Sequence, residues 1–231
     1  MDAELGRALF SAFIVVAVML LVGFPVHEFM HAWTAFRLGD NTARWQGRVS
    51  LDPRVHFDPM GGLILGLTAI FSAVGSGLLF GWAKPTPVNP MNLAHGRRGE
   101  ALVAFAGPAS NAVIALIVAL PMRYVVGDLE LLQTVFREPL LELAWSVGEL
   151  LLILNIVLFI FNLVPIPPLD GWRVLGGIVP APAARRMRQL EVEYANVLPV
   201  LFLGFIVILF VSGGAFLGPI IIGIRNLLLG I

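Results

Sequence analysis

Residues 20–36 read LLVGFPVHEFMHAWTAF, an apolar run that carries two imidazoles and a carboxylate at 27–31, HEFMH. Ionisable groups at membrane depth are costly, and their presence there marks function. The apolar block around them extends from about residue 8 to residue 36. As a helix rising ~1.5 Å per residue it exceeds a hydrocarbon core of ~30 Å. The whole chain of 231 residues follows the same pattern: 58% are hydrophobic and 13% charged, against about 25% charged in soluble domains. An integral, multi-pass membrane protein in contact with the lipid bilayer is therefore expected. The formal net charge is zero, so no nucleic-acid partner is expected. Cysteine is absent, which excludes disulfides and thiolate ligands and leaves His, Asp and Glu to hold any metal. The N-terminal MDAELGRALF has no small-residue cleavage site before the apolar run continues, so the run reads as a retained span.

Four further apolar blocks follow, at about 100–122, 146–163, 195–211 and 215–231. Residues 61–82 are also apolar but contain six glycines, too loose for a spanning helix, and read as a re-entrant hairpin whose backbone protein or water must cover. Residues 37–60, RLGDNTARWQGRVSLDPRVHFDPM, alternate in places, as at Arg48-Val49-Ser50-Leu51, and read as short interfacial strands or loop. Acids at 128, 130, 138 and 142 suggest an interfacial amphipathic helix within 123–145. Trp33, Trp82 and Trp172 lie near block ends and read as interfacial anchors. The expected fold is an all-α polytopic membrane protein of about five transmembrane helices, with a re-entrant segment and a short strand-like interfacial region. No stretch suggests a second domain, so residues 1–231 read as one membrane-embedded unit.

On a helix, residues i and i+4 share a face, so His27 and His31 can grip one ion while Glu28 lies about 100° round. Two His ligands flanking a Glu that takes a proton from water acidified by zinc is the HExxH arrangement of zinc hydrolases. Leaving these groups among Leu, Val and Phe without an ion would leave them unsatisfied. Pro25 deletes the bond to the Leu21 carbonyl and can kink the helix near the site, or be an ordinary span proline. A catalytic zinc site needs a third protein ligand. His56, His95 and the carboxylates are candidates. Asp170 stands out because it follows an apolar span directly in NLVPIPPLDGWR, residues 162–173. Pro165, Pro167 and Pro168 force an extended exit there, although an Asp-Gly pair is by itself usually a turn.

Three motifs taken together, VHEFMH, AGPASN (106–111) and NLVPIPPLDGWR, resemble those of the site-2 proteases, the intramembrane zinc metalloproteases. FGWAKPTPVNP (80–90) is similar to a loop of their compact branch, which lacks PDZ or CBS domains. The likeness covers about residues 15–175. It implies a catalytic core at about 8–175 with accessory helices at about 195–231. It implies one Zn2+ per chain, held by His27, His31 and Asp170, with Glu28 as the general base. It also implies that Asn162 lies near the reacting carbonyl, where an amide N–H stabilises an oxyanion; a helix C-cap is its alternative role. Asn111 reads as a helix-packing residue, His56 as a surface or supporting residue and His95 as solvent-facing. The implied reaction is hydrolysis of peptide bonds in transmembrane segments of substrate proteins, unwound along the 40–60 region by edge pairing. A catalytically silent scaffold or metal-handling protein would need the ligands but not Glu28.

Basic residues orient the chain. With the N-terminus outside, residues 37–99 carry seven Lys or Arg and residues 166–194 carry four, against Arg7, Arg123 and Arg137 on the outer side. Eleven against three is the positive-inside bias, and it turns the active site toward the cytoplasmic side; the likeness to the compact branch implies a prokaryotic cell membrane.

Overall fold

The computed structural model describes residues 2–72, 79–212 and 215–231. The first apolar block begins as α1 (Asp2–Val18), passes through a π turn (Met19–Gly23) and continues as α2 (Phe24–Arg37). The π turn sits where Pro25 demands it. Pro25 has no N–H for the Leu21 carbonyl, and its ring would collide with that group in an ideal helix. The wider turn relieves the clash, with the Phe24 N–H donating to the Met19 carbonyl five residues back. Residues Leu9–Arg37 thus remain one apolar span, and HEFMH follows directly on the irregular turn.

The other long helices are α6 (Arg97–Val126) and α8 (Pro139–Asn162), each long and apolar enough to cross a membrane. Between them α7 (Leu129–Arg137) is capped by Asp128 and amphipathic, as its acids suggested. The centre of the bundle is α6, which packs against α2 and α8 and against α9 (Asp170–Ile178). Its buried face is built of small residues, among them Ala104, Gly107, Ser110, Ala115 and Ala119, which lets neighbouring backbones come close. One core joins Val18, Met19 and Phe24 to Leu154 and Leu158 of α8. A second joins Ala115, Ala119 and Met122 to Leu152, Ile156 and Leu229.

The last two apolar blocks form shorter helices than spans require. These are α11 (Leu198–Val211) and α12 (Gly218–Leu229), of 14 and 12 residues, against about 20 for a crossing helix. A surface helix, α10 (Ala181–Glu193), meets α11 at a bend of 98°. Among the described residues three helices are long and apolar enough to cross, or four if the bent pair is one broken span, an all-helical polytopic arrangement as expected. The two final blocks are the difference from about five: within the described residues each is a short helix.

Residues 40–60 contain no strand. They form two one-turn helices, α3 (Thr42–Trp45) and α4 (Pro53–His56). Two Asp-Pro pairs decide this. Asp52 accepts the N–H of Arg54 ahead of α4, and Asp58 accepts the N–H of Gly61 at 2.7 Å ahead of α5 (Pro59–Phe71). Each aspartate is an N-cap and each proline occupies the first helical turn, where its missing N–H costs nothing. Local side-chain bonding of this kind outcompetes a ladder.

The glycine-rich segment is a hairpin. Residues 79–89 run back along α5 without helix, and Phe80 exchanges hydrogen bonds with the Thr68 hydroxyl at 2.8 and 3.0 Å. Residues 73–78 at its tip lie outside the described residues. A Cβ on Gly61 would collide with the Trp82 carbonyl, and one on Gly81 would strike Leu65 and come within 2.9 Å of the Gly61 carbonyl. Glycine at both positions is what allows the returning limb to lie directly on α5.

Candidate metal centre

His27 and His31 leave one face of α2, and Asp170 opens α9, which like α2 packs on α6. Asp170 is the first residue of a helix rather than the corner of a turn. Two contacts hold it there. Gly171 packs so close to the end of α8 that a Cβ would meet the Leu163 and Val164 carbonyls. Arg97 of α6 donates to the Gly176 and Val179 carbonyls at 3.1 and 2.5 Å, fastening the C-terminus of α9.

The three side chains converge. His27 Nε2 and His31 Nε2 are 3.0 Å apart, and each lies 3.2 Å from Asp170 Oδ2. Among the described residues this is the one group of three His, Asp or Glu side chains close enough to hold an ion. Ligand atoms at zinc-bond lengths and tetrahedral angles stand roughly 3.3 Å from one another. The observed triangle fits that separation. Both imidazoles are buried, and both are held by their other nitrogen. His27 Nδ1–H donates to Asn111 Oδ1 at 2.6 Å, and His31 Nδ1–H donates to the Val103 carbonyl at 2.7 Å. Each bond fixes the tautomer that leaves Nε2 bare toward the triangle. As a ligand Asp170 would meet the ion as a carboxylate, with Oδ2 turned to both Nε2 atoms. Gly107 of α6 faces the same space: a Cβ there would collide with His31 and stand 2.7 Å from His27 Nε2. The donor set, its spacing and the room left by Gly107 all fit a zinc ion.

Glu28 is not in the triangle. Its Oε2 accepts the N–H of Thr86 at 2.9 Å, and its backbone carbonyl accepts the Thr86 hydroxyl at 3.1 Å. Glu28 and the triangle both line a cleft of about 560 Å³, walled by the returning limb and by apolar side chains of α8 and α11 such as Phe161 and Phe202. Asn162 also lines it, with Nδ2 donating to the Leu158 carbonyl at 2.9 Å, which leaves its second N–H unused by that bond.

The remaining candidates fall elsewhere. His95 is exposed. His56 is buried, at 2% exposure, rather than on the surface; its Nε2–H donates to the Ser50 carbonyl at 2.7 Å and its own carbonyl accepts the Lys84 N–H at 2.8 Å. It supports the returning limb. Asn111, expected to serve packing, is the hydrogen-bond partner of His27 in the triangle, and its position four residues beyond Gly107 on the facing helix was the available signal. Thr86 holds the Glu28 carboxylate, and Val103 holds the His31 ring, through backbone groups, which side-chain patterns do not reveal.

Comparison with known proteins agrees with this geometry. The model of peptidase family M50 matches residues 132–209, a span containing Asn162 and Asp170. YwhC of Bacillus subtilis, named as a presumed zinc metalloprotease, is 38% identical over 192 residues, 80% of this chain and 78% of that protein. Rip2 of Mycobacterium tuberculosis, named in the same way, is 33% identical over 165 residues, 71% of this chain but 57% of its own length. Rip2 of Mycolicibacterium smegmatis matches to the same extent. No solved structure matches. Kinship of this extent, with a His-His-Asp group beside a glutamate in an apolar cleft, places the chain in peptidase family M50, the site-2 type of zinc metalloprotease.

Proposed function

We propose that this protein is an intramembrane protease that hydrolyses peptide bonds in or beside the transmembrane segments of other proteins. The observation that carries the reading is the cleft. A polar, metal-competent triangle and a glutamate open into a cavity whose walls are the apolar faces of spanning helices. A substrate whose scissile bond lies in an apolar segment suits such walls.

In this reading His27, His31 and Asp170 hold one zinc per chain. When bound, zinc supplies Lewis-acid polarisation and acidifies water. Glu28 is the general base, placed by Thr86 at the side of the cleft and outside the ligand set. Asn162 offers its second amide N–H to the carbonyl oxygen as charge develops there. Water is admitted from the polar end of the cleft, and the apolar walls exclude it elsewhere.

A helical substrate hides its carbonyls and must unwind. With 40–60 folded as helical turns, the edge moves to residues 79–89. Pro85 and Pro87 keep Lys84 and Thr86 extended, and Lys84 and Thr86 spend their N–H groups on His56 and Glu28. Alternation turns Gly81 and Ala83 the other way, and both line the cleft. An unwound segment pairs there.

The whole chain acts as a single protease domain, with the site toward the cytoplasmic side of a cell membrane, in keeping with the basic loops. The test compares membrane proteomes of cells carrying the wild type and Glu28→Gln. New termini inside or next to transmembrane segments, present only with the wild type, are expected. Differences confined to soluble proteins would overturn the reading.

A further inference from the structure

The hydrogen bond from His27 to Asn111 is the first of three. Asn111 Nδ2–H donates to Oδ1 of Asn155 on α8 at 2.9 Å, and Asn155 Nδ2–H donates to the Leu151 carbonyl one turn earlier at 2.8 Å. Asn111 and Asn155 are both wholly buried, at 0% exposure. Placing a second asparagine inside an apolar span costs free energy. A bond back to its own helix satisfies only part of that side chain. Neither residue lines the cleft.

An asparagine amide has a donor end and an acceptor end, and its two orientations are nearly the same in shape. What selects between them here is the far end of the chain of bonds. The Leu151 carbonyl can only accept. Asn155 must therefore turn Nδ2 toward it, which leaves Oδ1 for Asn111. Asn111 must then give Nδ2 to Asn155 and Oδ1 to His27. An acceptor facing Nδ1 requires the proton to be on Nδ1, so Nε2 carries a bare lone pair toward His31 and Asp170. Without the acceptor on α8, Asn111 is free to rotate its amide and offer Nδ2 to His27. That orientation moves the proton to Nε2, where it blocks a metal. His31 needs no relay, because the Val103 carbonyl faces its Nδ1 directly.

We propose that Asn155 is a positioning residue that, through Asn111, sets the tautomer of His27 and with it the metal affinity of the centre. This rests on the reading of His27, His31 and Asp170 as the ligands. The three bonds tie together α2, α6 and α8, so the tautomer also depends on the docking of the third span, far in sequence from the HEFMH helix.

The full-length protein is purified in detergent, and zinc affinity is measured by competition with a chromogenic chelator for the wild type, Asn155→Leu, Asn155→Asp and Asp170→Ala. Asn155→Leu suits an apolar span and removes the acceptor; it is expected to bind zinc about 10- to 100-fold more weakly. Asn155→Asp keeps the acceptor toward Asn111, and is expected to stay close to the wild type. A residue that merely packs predicts the reverse order, since a buried carboxylate is the harsher change. Equal or reversed affinities overturn the proposal. Should the Asp variant fail to fold, the apo Asn155→Leu protein still decides. With only four histidines in the chain, 15N-labelled imidazole resonances resolve the His27 tautomer, which is expected to shift from Nδ1–H to Nε2–H; an unshifted tautomer overturns the proposal. Full zinc affinity in Asp170→Ala would instead dismiss the ligand reading and leave the tautomer result standing by itself.

Discussion

Oε2 of Glu28 accepts the backbone N–H of Thr86 at 2.9 Å, while the Thr86 hydroxyl donates to the Glu28 carbonyl at 3.1 Å. The proposed base is thus held by the returning limb that also walls the cleft. Glu28→Gln is expected to abolish cleavage of a transmembrane substrate with zinc still bound at one per chain, because Glu28 stands outside the ligand triangle. Metal analysis beside a cleavage assay checks both halves. Thr86→Val keeps the N–H and is expected to stay near wild type. Thr86→Pro deletes it between two existing prolines and is expected to cost about tenfold in kcat/KM through loss of positioning.

Asp170→Ala and His31→Ala are expected to weaken zinc binding to a similar degree, since both supply atoms of one triangle with sides of 3.0 to 3.2 Å. His95→Ala is expected to leave affinity unchanged. His56→Ala is expected to lower thermal stability by loosening the limb that His56 holds, with affinity for the metal preserved. Equilibrium competition for zinc separates these outcomes. Full affinity in Asp170→Ala together with loss in His56→Ala would exchange the roles of the two residues.

Much of this was legible in the sequence. HEFMH pointed to the proposed ligands and base because helical spacing alone puts His27 and His31 on one face, and the structure brings those two imidazoles together with Asp170. The three long apolar blocks became α1–α2, α6 and α8. Asp170 needed the family likeness, because nothing local distinguishes an Asp that opens a docked helix from an Asp in a turn. The strand-like reading of 40–60 failed on Asp52-Pro53 and Asp58-Pro59, whose capping chemistry outweighed a short alternation. Asn155 was invisible because a lone asparagine in an apolar span gives no sign of what it meets across the bundle. Its role depends on contacts 44 residues apart along the chain.

Asp40 connects the end of α2 to the loop after the returning limb. It is wholly buried and accepts bonds from the Thr42 N–H and hydroxyl, the Asn89 N–H and the Asn92 amide. Burial raises its carboxyl, and these four donors outweigh burial and leave it below the usual range. A depressed folded-state value stabilises the protein above the unfolded value of about 4 and loses that contribution as pH falls through the folded value. Asp40→Asn lacks the contribution at every pH. Its deficit in thermal stability is therefore expected to be constant near neutrality and to narrow in acid below pH ~4. A gap that widens in acid would contradict the assignment.

The hairpin at 61–82 decides whether the two halves of the centre can meet. His27 and His31 lie on the second half of the first span, and Asp170 lies just beyond the end of α8. With α6 running back between them, both reach one side of the membrane only if the segment before α6 adds no further crossing. The structure returns the segment to its start. The Lys84 N–H donates to the His56 carbonyl at 2.8 Å, so the chain before α5 and the chain after the limb are in direct contact. Gln46 and Met91 are exposed on either side of the segment. Met91 is the better probe than its neighbour Asn92, whose amide is occupied by Asp40. The chain has no cysteine of its own, so Gln46→Cys and Met91→Cys report without background. Both are expected to react with an impermeant thiol reagent from the same face of sealed vesicles, the cytoplasmic one by the count of basic residues. Labelling from opposite faces would mean a crossing within 61–82, and Asp170 would then stand on the wrong side of the membrane to share an ion with His27 and His31.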